Sequence, residues 1–269
     1  MNKEKLCIYH GNCADGFTSA WVLWKVHPDT EFVAGIYGED PPDCTDREVV
    51  MVDFSYKRDV ILDMADKAKS ILILDHHKSA EKELVDLPDN VECHFDMERS
   101  GARMTWDYYH GTDAPMFVKF VEDRDLWRFN YPETRAFQAN VFSYEYTFEN
   151  WEKIFKASGN EVDLLSFVAE GEAIERKHHK DINELIESAA DRDVIAGHDV
   201  PVLNCPYFFS SDAGHIMSKN EPFAACYWDT PSGRVYSLRS ADDGMDVSEI
   251  AASMGGGGHK NAAGYKVIK

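Results

Sequence analysis

The pattern of apolar and polar positions changes character twice along the chain. Over the first part, "KLCIYH", "EFVAGIY", "EVVMVDFS", "SILILDHH" and "VECHF" are short apolar runs that read as strands. Between them, "DGFTSAWVLWKV", "RDVILDMADKAK" and "KSAEKELVDL" place apolar residues at helical spacing. This βαβ rhythm predicts a mainly parallel sheet covered by helices on both faces. From about residue 100 the pattern turns helical, with "SGARMTWDYYHG" opening on a Ser-Gly pair and closing at Gly111, then "PMFVKFVEDRDLWRF". A long charged stretch, "LLSFVAEGEAIERKHHKDINELIESAADR", predicts a connecting helix. After residue 193, "DVIAGHDVPVLNC", "FAACYWD" and "RVYSLRS" predict strands, and "DVSEIAASM" a short helix. The expected fold class is α/β: an N-terminal domain with a mainly parallel sheet flanked by helices, plus a smaller C-terminal α/β domain across a cleft. The expected domains are 1–188 and 189–269, with the boundary between about residues 186 and 194.

Charge narrows the function. The net charge is −20, from 48 acidic and 28 basic residues, which argues against a protein that coats long nucleic acid by neutralising phosphates. A phosphate-bearing substrate remains open, because bound divalent cations reverse the local field. The six cysteines show no CxxC spacing, which predicts reduced thiols and a cytoplasmic protein. The N-terminus lacks the apolar core of a signal peptide, and no apolar run approaches membrane-spanning length.

Three predicted strands end in metal-capable side chains. The first ends at His10, with Asp15 five residues on; the third at Asp53; the fourth at Asp75-His76-His77. In parallel α/β sheets ligands bind just beyond the carboxyl ends of strands, so parallel neighbours would crowd these groups onto one rim. The acidic run Glu122-Asp123-Arg124-Asp125 lies in the helical region and could fold over it. Several carboxylates side by side without a cation must protonate or repel. Imidazoles with carboxylates suit manganese, and also iron, cobalt, zinc or magnesium. In the C-terminal part, "MGGGGHKNAAG" reads as backbone that approaches a ligand closely and offers N–H groups to an anion. His259 and Lys260 add donors there, and Arg239 offers a forked contact to phosphate or carboxylate. Ser100-Gly101 reads as a phosphate site or an ordinary helix cap. His178 and His179 read as solvated, and Trp21, Trp24 and Trp127 as core.

Taken in order, "HGNCADGFTSA", "VDFS", "DHH" after a buried strand and "GGGGHKNAAG" resemble the DHH phosphoesterases with their C-terminal DHH-associated domain, over nearly the whole chain. The resemblance implies a manganese-dependent hydrolase holding one or two ions, with magnesium or cobalt as substitutes. It implies His10, Asp15, Asp53, His76 and Asp123 as metal ligands, with Asp125 close enough to compete for the last role. It implies Asp75 as the supporting neighbour of His76, and His77 as the residue facing the substrate phosphate. Arg239, Gly256, Gly257, Gly258 and His259 resemble the substrate-gripping set. The chain departs from the family in its opening motif: many members carry two aspartates there, and this one has only Asp15, with Asn12 and Cys13 where the other would stand. That metal position is therefore weakened, filled by Cys13, or empty. The implied activity is phosphodiester hydrolysis of short oligonucleotides, like an oligoribonuclease or 3′–5′ exonuclease, or of linear or cyclic dinucleotides. The alternatives are a phosphoanhydride hydrolase acting on pyrophosphate or polyphosphate, and a non-catalytic nucleotide-binding relative. The expected partners are a short oligonucleotide or dinucleotide, with no long nucleic acid and no membrane; a homodimer is left open.

Overall fold

A computed structural model of the chain describes residues 4–268. The chain divides into two compact units, the first running through Glu175 and the second starting at Arg176.

The first unit is built on five parallel strands: β1 (Lys5–His10), β2 (Glu31–Gly35), β3 (Glu48–Val52), β4 (Ser70–Asp75) and β5 (Val91–Phe95). Their order in the sheet is β2-β1-β3-β4-β5. The chain leaves β1 for one side and returns to the other, so a switch point lies between β1 and β3. Alternate residues of the central strands bury on opposite faces, as the two-residue period of a strand requires. Leu6, Ile8, Met51 and Ile73 pack with Ile61 and Met64 of α2 (Arg58–Ala65). Cys7, Val52 and Leu74 pack on the other face against Ala20 and Leu23 of α1 (Ala14–Val26). A parallel sheet covered on both faces explains why these strands read as unbroken apolar runs.

Outside α1 lies a helical layer: α4 (Gly101–His110), α5 (Met116–Asp125), α6 (Thr134–Val141), α7 (Phe148–Ser158) and the start of α8 (Glu161–Ala189). Its core is aromatic, with Phe17, Trp21, Phe117, Phe120, Phe137 and Trp151 buried together. Trp151 is fully buried and its indole donates to Thr18 Oγ1 at 2.9 Å. Trp21 belongs to this core as expected and Trp24 packs against it. Trp127 does not sit on a helix: it follows α5, at φ 57°, with Arg124 stacked 4.1 Å from its ring centre. Helices α6 and α7 have no counterpart in the sequence reading.

The second unit is a six-stranded mixed sheet of β6 (Asp191–Ile195), β7 (His198–Asn204), β8 (Ala224–Thr230), β9 (Gly233–Arg239), β10 (Gly257–His259) and β11 (Ala262–Ile268), ordered β10-β11-β9-β8-β7-β6, with only the β7–β8 pair parallel. The segment "DVIAGHDVPVLNC" is two strands, β6 (Asp191–Ile195) and β7 (His198–Asn204), joined by Ala196 and Gly197 at φ 50° and 84°. Both φ values are positive, as the tight two-residue hairpin turn demands. His178, expected in solvent, is half-buried: its Nε2 lies 3.1 Å from Asp212 and its ring packs on Phe209. No helix among the described residues is long and apolar enough to cross a membrane.

One helix contact allows a test. Gly171 of α8 lies so close to α6 that an added Cβ would sit 1.8 Å from the Ala136 carbonyl oxygen. Alanine within a helix is ordinarily worth about 1 kcal/mol over glycine. Here Gly171→Ala is expected instead to lose about 1–3 kcal/mol through overpacking, read from the urea midpoint. An unchanged or raised midpoint contradicts that packing.

Candidate metal centre

Asp53 occupies the residue after β3, at φ 54°, with its N–H donating to Leu74 O at 2.9 Å. Aspartate tolerates this left-handed conformation better than most residues, yet it still costs on the order of 1 kcal/mol. The turn aims the carboxylate across the carboxyl ends of β1 and β4. Asp53 Oδ1 lies 3.1 Å from His76 Nε2, and Oδ2 lies 3.4 Å from His10 Nδ1. Strand ends β1, β3 and β4 thus converge on one carboxylate beside the switch point.

Asp15 joins from the first turn of α1. Its two oxygens accept the N–H groups of Gly101 (2.6 Å) and Ala102 (3.0 Å), the first turn of α4, and it lies 3.8 Å from His76 Nε2. Ser100 caps α4 by accepting from Arg103 N–H at 3.2 Å. The Ser-Gly pair is therefore an ordinary cap, and Asp15 takes the free N–H groups that a phosphate would have used. Glycine is required at 101 because a Cβ there would stand 2.4 Å from Asp53 Cβ and 2.9 Å from Asp15 Oδ2.

The second pair of the triplet is set up differently. His77 Nδ1 and Asp75 Oδ1 are 2.6 Å apart, and Asp75 also accepts from Ser55 Oγ at 2.9 Å and from His76 N–H at 2.8 Å. Asp75 is fully buried and fixes the His77 ring through Nδ1. The His76 and His77 rings stand 5.1 Å apart, and the His77 and His10 rings 5.8 Å.

Of the two candidate aspartates in α5, Asp125 reaches the centre and Asp123 does not. Asp125 Oδ2 lies 3.5 Å from His76 Nε2. Asp123, expected as a ligand, is buried and spends its carboxylate on the loop that follows α5: it accepts from Asn130 N–H (2.8 Å), Tyr131 N–H (3.2 Å) and Thr134 Oγ1 (2.5 Å). Cys13, at the head of α1, also lies within the group: single ligand atoms of His10, Cys13 and Asp53 sit within 4.8 Å of one another. Similar sets are formed by Asp15, Asp53 and His76, and by Asp53, Asp75 and His77. Tyr37 stands edge-on to His10, ring centres 5.4 Å apart, a neighbour that no motif indicates.

The charges explain what such a site would hold. Burial opposes ionisation of Asp53, but His10 and His76 outweigh it and keep the carboxyl far below the usual range. Burial also works against His76, yet the contact with Asp53 and the charges of Asp125 and Asp15 raise it to about 10. Asp15 is pushed well up by burial and by the Asp53 and Asp125 charges, and Asp125 is raised by burial and Asp53. Burial and the neighbouring carboxylates thus oppose ionisation of two of the three central carboxyls. Asp53 Oδ2 is buried without a hydrogen-bond partner among the described residues. Oxygen and imidazole donors with an orphaned carboxylate oxygen fit a divalent cation.

The residues expected to grip substrate lie in the second unit. Arg239, at the end of β9 (Gly233–Arg239), donates to Ser237 Oγ, Leu238 O and Ser211 Oγ at 2.8–3.0 Å. The glycine run is not a free loop. Gly255, at φ 83°, ends α10 (Val247–Ser253): its N–H donates to Ala252 O, and Gly256 N–H donates to Ala251 O. Gly257–His259 then form β10, paired with β11 (Ala262–Ile268). At Gly256 and Gly258 a Cβ would meet the backbone of β11 at 2.0 and 2.6 Å. Packing thus accounts for three of the glycines without any ligand.

No family model matches the chain. An uncharacterized protein of Acanthamoeba polyphaga mimivirus is 30% identical over 292 residues, covering 98% of this chain and 68% of its own length. Among solved structures, the DHH domain of a protein described as belonging to a ribosomal-protein family superposes with TM-score 0.61 at 14% identity, over 99% of this chain and 83% of its own. A pGpG-specific phosphodiesterase from Vibrio cholerae gives 0.52 at 15% identity, over 99% and 94%. An exopolyphosphatase-related protein from Bacteroides fragilis gives 0.53 at 14% identity, over 99% and 88%.

The two aspartates of α5 separate cleanly by experiment. Asp125→Asn is expected to weaken divalent-ion affinity by about 10–100-fold in calorimetric titration with manganese as the probe. Asp123→Asn is expected to retain that affinity but lower the urea midpoint, since hydrogen bonds to a charged group are worth about 1.5–3 kcal/mol. The reverse pattern would return the ligand role to Asp123.

Proposed function

We propose that the chain is a DHH-type phosphoesterase, a divalent-metal-dependent phosphodiesterase acting on short oligonucleotides and on dinucleotides. The observation that carries this reading is the convergence of three strand ends on Asp53, with Asp15, His10, His76 and Asp125 around it. These five side chains hold the ions, manganese being the natural choice for a site of carboxylates and imidazoles. Bound divalent ions supply Lewis-acid activation of phosphoryl oxygens and a lowered pKa for water.

The remaining roles fall to the protein. Asp15, Asp53, Asp75 and His76 are buried, whereas His10 and Asp125 keep about a quarter of their side chains exposed, so substrate reaches the centre from the His10–Asp125 side. His77, held by Asp75, directs Nε2 to the scissile phosphate and is placed to move a proton there. Asp75 does not touch substrate in this reading; it fixes the tautomer and orientation of His77. Catalysis belongs to the N-terminal unit. Substrate grip belongs to the C-terminal one, through Arg239, the strand Gly257–His259 and neighbouring Gly256.

Substrate size follows from charge and from fold. A net charge of −20 disfavours a long polyanion, whose binding depends on many phosphate contacts. A linear dinucleotide is the substrate named for the Vibrio cholerae phosphodiesterase that shares the fold. The likeness to an exopolyphosphatase-related protein keeps a phosphoanhydride substrate as the second reading.

With manganese, the protein is expected to release mononucleotides from di- to pentanucleotides, followed by chromatography. Turnover of pyrophosphate or polyphosphate with none of the oligonucleotides would move the assignment to the second reading. Retention of metal with no turnover of either would make the chain a binding relative. His77→Asn is expected to lower kcat by about 10²–10⁴-fold while the protein still binds manganese. Loss of metal binding in that variant would make His77 a ligand instead.

A further inference from the structure

Cys13 stands where the family's opening motif ordinarily places a carboxylate, and the fold brings its sulfur into the centre. Its Sγ, a His10 imidazole nitrogen and an Asp53 oxygen lie within 4.8 Å of one another. A cysteine alone would say little. Here a second observation points to a ligand: Asp53 Oδ2, buried at 1% residue exposure, has no hydrogen-bond partner among the described residues, and its contact on this side is His10 Nδ1 at 3.4 Å. The opposite oxygen, Oδ1, is already turned to His76. Asp53 therefore offers one oxygen to each of two different donor sets.

We propose that the two sets are chemically unlike. His10, Cys13 and Asp53 form a thiophilic position for zinc, and Asp15, Asp53 and His76 with Asp125 form a hard position for manganese or magnesium. The first set supplies one nitrogen, one sulfur and one oxygen, three protein ligands with a place left for water or substrate, the composition of an open zinc site. Thiolate favours zinc, cobalt and iron over manganese and magnesium, whereas the carboxylate-rich set favours the harder ions. Ligation replaces the S–H bond by a metal–sulfur bond, and the thiol proton passes to solvent. Asp53 bridges the two, so exchanging Cys13 changes which ion sits beside His10 without removing a donor from the other set.

This inference rests on the metal-centre reading above and is tested without turnover. Cobalt added to the dialysed full-length protein is expected to produce a thiolate-to-cobalt charge-transfer band in the near ultraviolet. The band should vanish in Cys13→Ser and Cys13→Asp. Competition between zinc and manganese, read by elemental analysis after gel filtration, should show one zinc and one manganese per wild-type chain. In Cys13→Asp the preference should move towards manganese by about tenfold or more. Should a variant not fold, zinc is expected to protect Cys13 of the wild type from alkylation, read by peptide mass mapping. Cobalt binding without the band, a band that persists in Cys13→Ser, or alkylation of Cys13 unaffected by zinc would each overturn the thiolate position and leave the hard site standing. Failure of the wild type to bind any divalent ion would overturn both.

Discussion

The structure of the first unit is organised around one carboxylate. Asp53 is buried, turned through a left-handed backbone conformation, and placed where β1, β3 and β4 end together. Neither burial nor that backbone is favourable by itself. Both are tolerated because His76 lies against one oxygen and His10 near the other. The surrounding residues then fall into place by steric necessity. Gly101 is the one residue that lets α4 begin against Asp53, and beginning there exposes two N–H groups that Asp15 accepts. A carboxylate at a helix N-terminus is favourably placed by the helix dipole as well as by hydrogen bonding. Asp15 and Asp125 are pushed upward by burial and then by the Asp53 charge, so added positive charge at this point would favour their ionised forms.

Rigidity around this point comes from different chemistry on the two sides of the sheet. One face is aliphatic, Leu6, Ile8, Met51 and Ile73 against α2. Beyond α1 on the other face the core is aromatic, with Phe17 stacked on Phe148 and edge-on to Trp151. Phe17 sits two residues from Asp15, so the aromatic layer fixes the helix that carries that carboxylate. Aromatic side chains bury large areas with few rotatable bonds, which suits a support that must hold donor atoms to fractions of an ångström.

The sequence made the parallel sheet and the polar strand ends legible because a strand buried on both faces leaves an unmistakable apolar run, and because His10, Asp53 and Asp75-His76-His77 interrupt such runs at their ends. Helices α6 and α7 escaped because their buried faces are mixed: Gln138, Asn140 and Ser158 are buried beside Phe137 and Trp151, so the apolar period is broken. The run of glycines was legible as a constrained backbone but not as to cause. A helix C-cap and a close strand pairing use the same residue as an anion loop does, and only the neighbouring chain, Ala262 to Gly264, distinguishes them.

The choice between Asp123 and Asp125 illustrates a deeper limit. Residues two apart on a helix point to well-separated directions, so one can face the centre only if the other does not. Which one does so is decided by the chain beyond the helix. The loop after α5 folds back so that Asn130 and Tyr131 present their N–H groups to Asp123, with Thr134 Oγ1 completing the set. Trp127 and Phe129 adopt positive φ to make that return, and Arg124 and Arg135 stack on their rings. Asp123 is thus a structural anchor whose contacts keep α5 in the orientation that delivers Asp125 to His76. Two acidic residues in one short motif divide the labour of building the site and joining it, and local sequence alone carries no sign of which does which.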